Sequence, residues 1–421
     1  MTAVNGRGSR EAPPLRFTPK IFVALLTGLL LAVLAFSQAA AAIGMTLNSF
    51  RPLGGSFFSW RSAQHQLAVD LFEKRKRTDA RRLMASGRTG LRYAPLSARS
   101  LWMVGKGYEA QKDMKAARRV MARAQKVTRR DAAIQLWLAE DAFRREDVAE
   151  AIGHYDLIMR SQPETSREIL PRLAAVMVAW QGRPYLQPYI NSRNLWYPGL
   201  MTSAVNLLPK AEPIGLLLIE RKAKAPDIVE LESVYGKLVT RLVDEGAIEV
   251  ALKTYPLLPN GKAEVLGNVS GIANGKPIAG YPPFIWSLAN EAYGATLVGV
   301  DRSGGGMEFF AAPGTLGMAA SKLIKIDAGN RLRWRIYDRT ANLQSTAAWV
   351  ATCVAGKAKG AQHMSINLLS QSTPLNKTMS MALPANCDVI RLDMRVAGGI
   401  GTGPASLVVG DLGHEKAAVA N

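Results

Sequence analysis

Cysteine and histidine are scarce in this chain of 421 residues. Its two cysteines are too few for a structural zinc site built on cysteine, which usually needs three or four ligands. The four histidines show none of the close spacings of metal-ligating pairs; they are His65, His154, His363 and His414. We therefore predict no bound metal and no cofactor.

Motifs that carry catalysis are also lacking. In Gly267-Asn268-Val269-Ser270-Gly271 the serine lies one position too late for a GxSxG nucleophile elbow. The glycine run 304–306 lacks the strand, lysine and helix of a phosphate-binding loop. The sequence favours a protein that is not an enzyme and has no catalytic residues. The alternative is a glycan-active enzyme in which two distant carboxylates meet on folding.

Acidic residues are fewer than basic ones, 33 against 53, and the net charge is +20. The excess is concentrated in the first third of the chain. It indicates an anionic partner or surface. The sharpest basic run, Lys74 to Arg77, has no interleaved aromatic residues for stacking on bases, and we predict no nucleic acid partner. Anionic lipid headgroups suit this run better, although a solvated helix face explains it equally well.

One long stretch has no charge at all. Residues 21–42 are 22 uncharged residues, which matches the ~20 that span a hydrocarbon core. We assign 21–43 to a transmembrane anchor or a signal sequence, and residues 1–20 to a basic cytoplasmic tail. Small residues near Ser37 keep a cleaved signal peptide open as the alternative. We predict a single-pass protein of a bacterial inner membrane, with its bulk in the periplasm.

A pattern repeats at an offset of 34 residues in the region that follows. Gly105 aligns with Ala139, and Ala117 aligns with Ala151. Small residues recur where helices cross, polar pairs recur at the turns, and Pro95 and Pro163 keep the same frame. This resembles the tetratricopeptide repeat (TPR) family over 98–131 and 132–165, with a degenerate unit at about 64–97, where Gly87 and Gly90 stand in place of alanine or a bulkier residue. The resemblance implies a helical solenoid over residues 60–255.

TPR arrays bind proteins or peptides along the face formed by the first helix of each pair. The resemblance therefore implies groove positions at Arg99, Trp102, Lys106, Glu109, Glu140, Phe143 and Arg144. The alternative is that these are ordinary surface residues and that Trp102 packs on a neighbouring repeat.

Beyond about residue 260 the pattern changes from helical to a period of two. Residues 331–337, 364–368 and 390–396 alternate between apolar and polar side chains, and glycine and asparagine separate such runs. Many short strands with one apolar face predict an antiparallel β-sandwich (jelly roll) over 262–415. The order PPFIWSL, GGGMEFF, IDAGNRLRWRIYD, WVATC and LPANCDVIRL resembles accessory carbohydrate-binding-module jelly rolls.

Such modules hold sugars with exposed aromatic and polar side chains, so Trp286, Trp349 and Tyr337 are candidates, although flanking residues favour a core position for Trp286. Strict alternation places Tyr337 on one face with Arg331, Arg333 and Arg335. That row suits the carboxylates of an acidic glycan, or it is a solvent face that charge protects from aggregation.

Cys353 closes one predicted strand and Cys387 opens another, and the predicted compartment is oxidising. We predict that they form a disulfide; two buried thiols are the alternative. The combined hypothesis is a non-catalytic, membrane-anchored periplasmic adaptor. It would bind a protein through the helical groove and an acidic polysaccharide through the sandwich, in envelope polysaccharide assembly. A pure protein-interaction scaffold is the second alternative.

Overall fold

The computed structural model of the chain describes residues 23–33, 35, 80–93, 95–273, 276–299, 305–326 and 330–416. The predicted cytoplasmic tail and the basic run 74–77 lie outside the described residues, as do residues 21–22, 34 and 36–43 of the predicted anchor; residues 23–33 are helical. Among the described residues, no helix combines the length and the apolar character needed to cross a membrane. The chain divides into two compact units, Met1–Arg145 and Glu146–Asn421.

Beyond residue 79 the first unit consists of α1 (Ala80–Tyr93), α2 (Ala98–Ala110), α3 (Met114–Val127) and α4 (Ala132–Arg144). The last three helices each begin after a capping side chain. Ser97, Asp113 and Asp131 accept hydrogen bonds from amides of the first helical turn. These caps satisfy N–H groups that would otherwise lack a partner, so the sequence itself sets where each helix starts.

Small residues let these helices cross closely. A Cβ added at Gly87 of α1 would lie 2.7 Å from a methyl group of Val104 in α2. A Cβ at Gly105 of α2 would lie 2.7 Å from the Met121 Cε of α3. Gly87 made the unit before residue 98 look degenerate in sequence; in the structure it is the point where two helix backbones approach.

The 34-residue period appears in the turns between helices. Lys112 and Glu146 both adopt left-handed backbone, with φ of 64° and 63°. Each is followed by an aspartate, Asp113 or Asp147, that caps the next helix. Both predicted windows, 98–131 and 132–165, therefore contain a helix, a turn of the same geometry and a second helix.

The second unit begins with helices. They are α5 (Val148–Ser161), α6 (Ser166–Val176), α7 (Arg183–Leu186), α8 (Tyr197–Leu207), α9 (Glu212–Arg221), α10 (Glu232–Asp244), α11 (Ile248–Thr254) and α12 (Ala263–Gly267). Buried tyrosines join this helical part to the segment that precedes the two large sheets. Tyr281 packs edge-on against Tyr235 and Tyr255, each at 6.3 Å between ring centroids. Burial raises the pKa of all three phenols, so they stay neutral.

Twelve strands follow in the described residues: β1 (Ile272–Ala273), β2 (Lys276–Pro277), β3 (Ser287–Leu288), β4 (Tyr293–Val298), β5 (Gly306–Ala311), β6 (Leu316–Lys325), β7 (Asn330–Thr340), β8 (Thr346–Gly356), β9 (Gln362–Met364), β10 (Thr378–Ala382), β11 (Cys387–Ala397) and β12 (Ala405–Lys416). β1 and β2 form a small hairpin. The others form two antiparallel five-stranded sheets, in the orders β10-β7-β12-β5-β4 and β3-β6-β11-β8-β9. The prediction of an antiparallel β-sandwich is confirmed, since the strands form two antiparallel sheets.

The core lies between the two sheets. Trp334 and Trp349 are 2% and 0% exposed, and Phe309 packs edge-on against Trp349 at 5.6 Å. Trp349 is thus excluded as a sugar contact, because a ligand cannot reach it. Trp286 packs against the same core and donates its indole N–H to the carbonyls of Val269 and Ser270, so it holds the chain that enters the sandwich.

Cys353 and Cys387 form a disulfide, which confirms that prediction. Both cysteines are buried, at 1% and 2% exposure, and link the neighbouring strands β8 and β11 at one end of the sheet.

One predicted strand is shorter than expected. Alternation predicted a strand over 364–368, but β9 ends at Met364. Two polar side chains take over the bonding there: Ser365 Oγ accepts from the Trp349 amide, and Asn367 Oδ1 accepts from the Ala347 amide. Side-chain oxygens thus accept the amides of β8, while the Ser365 and Leu368 amides still donate to the Trp349 and Ala347 carbonyls.

Candidate ligand-binding face of the sandwich

The outward face of the sheet β10-β7-β12-β5-β4 carries the arginine row. Along β7 the residues Leu332, Trp334 and Ile336 are buried at 2% exposure or less. The alternate residues Arg331, Arg333, Arg335 and Tyr337 lie on the opposite face, exposed or partly exposed. Same-face neighbours in a strand lie ~6.8 Å apart at their Cα atoms, so the row is a line of regularly spaced donors.

Hydroxyl groups of the edge strand β10 line one side of this row. The Arg331 guanidinium donates to Ser380 Oγ at 3.0 and 3.2 Å, and Arg335 donates to Thr378 Oγ1 at 3.4 Å. Both hydroxyls belong to exposed residues and keep their own O–H for a further bond. Arginines that contact hydroxyls keep their positive charge uncompensated.

A bulge in β12 supplies the acid of this face. The pairing of β12 with β7 shifts between Gly410 and Gly413, and Asp411 in the bulge has a left-handed φ of 52°. Its Oδ2 atom accepts from the Tyr337 hydroxyl at 2.9 Å and lies 3.3 Å from Arg335 Nε. One arginine and the tyrosine are thereby fixed by one carboxylate.

Arg333 has a different environment. It is exposed, and in the described part of the chain its side chain makes no hydrogen bond or ion pair. Across the strand from it stands Gly413, where an added Cβ would lie 3.7 Å from the guanidinium. The guanidinium, a group with five N–H donors, therefore lies against the glycine and meets no side chain there.

The same face carries a second partly exposed aromatic ring. Phe310 on β5 points outward beside the neighbouring strand, and a Cβ at Gly294 would lie 2.9 Å from its ring. With Tyr337, it adds apolar surface to a mostly polar face.

The predicted groove residues of the first unit are largely bound to one another. Glu109 forms ion pairs with Lys106 in its own helix and with Arg144 of α4, the latter at 3.3 Å. Burial acts to raise the pKa of Glu109, but Lys106, with Trp137 and Arg144, outweighs burial and lowers it. This carboxylate links α2 to α4.

The other predicted groove residues fall into two groups. Trp102 is only 5% exposed, with the Arg99 guanidinium 4.7 Å above its ring, so packing within the repeats describes it better than contact with a ligand. Glu140 is exposed and Phe143 is partly exposed. A partner would therefore meet Lys106, Glu140, Phe143 and Arg144 rather than the indole.

Sequence reasoning missed several functional candidates. Ser380 and Thr378 alternate with methionines on β10, a strand that contains no charged residue and matches no binding motif. Asp411 lies between Gly410 and Gly413, a spacing that signals a bulge. Asp141 was also missed; it is 1% exposed and contacts Arg118 at 2.7 Å and Arg145 at 3.1 Å.

A separate cavity of about 440 Å³ lies on the first unit. Its lining combines an apolar floor with three cationic side chains; the residues are Tyr108, Ala116, Arg119, Val120, Ala122, Arg123 and Lys126. In the described part of the chain, no group of three or more His, Cys, Asp or Glu side chains is arranged to hold a metal ion.

No family model matches the chain, and no curated protein matches it. Among solved structures, the chain is similar to the carbohydrate-binding module TmCBM61 in complex with β-1,4-galactotriose. The identity is 10%, the match covers 31% of this chain and 87% of that chain, and the TM-score is 0.23. At that TM-score the likeness carries no weight, so the candidate face has to be judged by its own geometry.

Proposed function

We propose that this protein is a non-catalytic, membrane-anchored periplasmic adaptor that binds a glycan on the outward face of β7 and a protein on its helical repeats. The observation that carries the proposal is the donor row of β7: regularly spaced guanidinium groups with hydroxyls on one side and an aromatic ring at one end. The proposed role in envelope polysaccharide assembly rests on an analogy of domain architecture.

The chemistry of the face suits a polyhydroxylated chain. Sugars offer hydroxyl groups that both donate and accept, and Ser380, Thr378 and Tyr337 complement them. Guanidinium groups bind carboxylates or other oxyanions through two parallel N–H bonds. A flat sheet face accepts an extended polymer along the strand, so an acidic polysaccharide uses all these contacts together.

The helical repeats supply the protein-binding half of the proposal. The row of Lys106, Glu109 and Arg144 runs from α2 to α4 and leaves Glu140 and Phe143 accessible. Mixed charges of this kind favour a partner with complementary charge placement over one with large net charge.

The location of the protein is part of the proposal. The disulfide supports an oxidising compartment, since such bonds persist in periplasmic and secreted proteins. The uncharged stretch 21–43 supports an anchor. A single-pass membrane protein with most of its chain in the periplasm is consistent with both the disulfide and the uncharged stretch.

Sedimentation of the full-length chain with insoluble or immobilised polysaccharides tests the glycan half. We expect binding to polygalacturonate at low salt, weakening as salt screens the arginines. If the chain binds no polysaccharide at low salt, it is a pure protein-interaction scaffold. If it shortens the polymer and one Asp or Glu substitution abolishes the shortening, it is a glycan-active enzyme.

Capture from a periplasmic extract tests the protein half. Lys106→Ala with Arg144→Ala should reduce recovery of a co-purifying partner. The matched control is Lys115→Ala with Arg129→Ala, which removes the same charge from exposed positions of the same unit. Equal recovery by both double variants would remove the groove from the proposal.

A further inference from the structure

The outward row of β7 contains three arginines, and two of them are engaged within the described part of the chain. Arg339 lies beyond a second register shift, where it pairs with the buried Leu407, and it donates to the backbone carbonyls of a loop, those of Ser370, Gln371 and Thr373. Arg331 is bound to Ser380, and Arg335 to Thr378 and Asp411. Arg333 alone in this row is exposed and faces a glycine across the neighbouring strand.

The bulge in β12 decides which arginine is available. Without the one extra residue that β12 carries between Gly410 and Gly413, its side chains would alternate regularly against β7. With it, the Asp411 carboxylate reaches Arg335 and Tyr337. A non-glycine residue with positive φ costs free energy, so the surrounding structure has to hold it there.

The charge around Arg333 is consequently uncompensated, whereas that of Arg335 is largely neutralised. A planar guanidinium binds an oxyanion best when both of its N–H edges are open. Ser380, the register partner of Arg333 on β10, stands beside it with a hydroxyl for a neighbouring sugar hydroxyl.

We infer that Arg333 is the specificity-determining contact for an oxyanion-bearing sugar unit, and that Asp411 is a positioning residue which withholds Arg335 from the ligand. The inference rests on the proposed glycan-binding function and assigns its ligand class: an anionic glycan bearing carboxylate or sulfate groups. Arg335 orients Asp411 and Tyr337, and Arg333 binds the ligand charge.

Two substitutions in the full-length chain test the assignment, each with a control of equal charge. Arg333→Gln is compared with Arg395→Gln, which removes an exposed arginine from the other sheet. Asp411→Asn is compared with Asp388→Asn, an exposed aspartate also on the other sheet. Asparagine tolerates left-handed backbone and still accepts from Tyr337, so Asp411→Asn changes charge and keeps shape.

The probes are polygalacturonate, dextran sulfate and uncharged dextran. We expect Arg333→Gln to weaken binding to at least one charged polymer about tenfold or more, because a charge-assisted contact is lost. Arg395→Gln should stay within about twofold, as a rim charge does. The charged polymer that loses affinity identifies carboxylate or sulfate as the group, and dextran should bind weakly to all variants.

Asp411→Asn should tighten binding to the same polymer, because Arg335 becomes a second cation for the ligand. The slope of log affinity against log salt should steepen by about one counterion. Asp388→Asn should change neither quantity.

Each unfavourable result has one meaning. If the wild-type chain binds none of the charged polymers at low salt, the proposed function and this inference both fall. If it binds but Arg333→Gln equals Arg395→Gln, the glycan function stands and Arg333 is not its contact. If Asp411→Asn binds more weakly than wild-type, Asp411 is a ligand contact and not a positioning residue. Circular dichroism spectra identical to wild-type confirm that the variants are folded.

Discussion

The helical repeats and the sandwich treat their charged side chains differently. In the first unit the carboxylates of Glu109 and Asp141 each contact more than one cation and tie neighbouring helices together. On the β7 face the arginines mostly contact hydroxyls and carbonyls, so their charge stays available. Paired charges hold structure, and uncompensated charges are left for a ligand.

The means of stabilisation differ as well. The sandwich has a disulfide between two strands of one sheet and a continuous core between two sheets. The described part of the first unit relies on helix caps, close crossings at glycine and ion pairs. Substitutions that weaken one region and leave the other unchanged separate these contributions to stability.

Removal of the disulfide should have the largest effect, and only on the sandwich. The bond closes a loop with a sequence separation of 34 residues. In the chain-entropy model, replacing Cys353 and Cys387 by serine lowers the free energy of unfolding by about 3–4 kcal/mol. Hydrogen exchange should show faster opening of β8 and β11, with α2 and α3 unchanged.

The control for this prediction is a reductant. It should destabilise the wild-type chain by a similar amount and leave the double serine variant as it was. Equal acceleration of exchange in α2 and α3 would show that the two regions do not differ in this way.

A buried lysine gives the second largest effect. Lys322 of β6 is 0% exposed and donates to the Asn268 carbonyl at 2.6 Å, and burial lowers its pKa from 10.5 to about 8. Between these pH values the unfolded chain binds a proton that the folded chain has lost. Stability therefore rises with pH in that window, by about 3 kcal/mol for this group.

The measurement is the free energy of unfolding of wild-type and Lys322→Met at several pH values from 7.5 to 10.5. The difference between the two should move in favour of wild-type as pH rises, and it cancels the titration of tyrosines that both chains share. Lys325→Met, an exposed lysine at the end of the same strand, is the control and should follow wild-type. A constant difference would mean that Lys322 is hydrated.

Asp141 tests whether paired charge holds the helices. The residue is 1% exposed, and Asp141→Asn keeps its shape while removing the charge that Arg118 and Arg145 share. We expect a loss of about 2 kcal/mol, the range for hydrogen bonds to a charged group. Hydrogen exchange of α3 and α4 measures it.

Asp131→Asn is the control for Asp141→Asn. It makes the same change at a helix cap, where asparagine serves as well as aspartate. Equal effects of the two substitutions would assign no special role to the buried cluster.

How far sequence reasoning reached depends on the distance between interacting residues. The alternation of 331–337 and the polar turns at Lys112 and Glu146 are local, since the backbone period alone places them. The pairing of Asp411 with Arg335, 76 positions apart, depends on strand order and on a bulge of one extra residue in β12. No periodicity in the sequence specifies either.

Burial of polar groups is hidden for the same reason. Lys322 lies at a core position of β6, where alternation predicts an apolar side chain, and only the fold shows that the Asn268 carbonyl accepts a hydrogen bond from it. Trp102 illustrates the opposite case, in which helical position indicated an accessible groove and packing buried the ring. Gly87 departs from the repeat pattern in the sequence, and only the structure shows that the neighbouring helix α2 leaves no room for a side chain there.

The smallest predicted effect concerns acid and the ion pair between α2 and α4. Its partners lower the pKa of Glu109 below 4.5, so the stabilising contribution is present above pH ~4.5 and is lost as pH falls through the folded value. Glu109→Gln should therefore be less stable than wild-type at pH 7, and the difference should shrink as pH falls below 4.5, with local opening of 98–110 as the measured quantity. Glu249 provides the comparison, because its pKa is lowered by Lys253 alone among charged partners and the pair is solvent-exposed. High salt should erase the effect of Glu249→Gln and preserve most of that of Glu109→Gln, since screening acts weakly on a partly buried pair. If salt removes both effects equally, the Glu109 ion pairs contribute little to stability. The helical repeats would then not differ in this respect from the uncompensated arginines of β7.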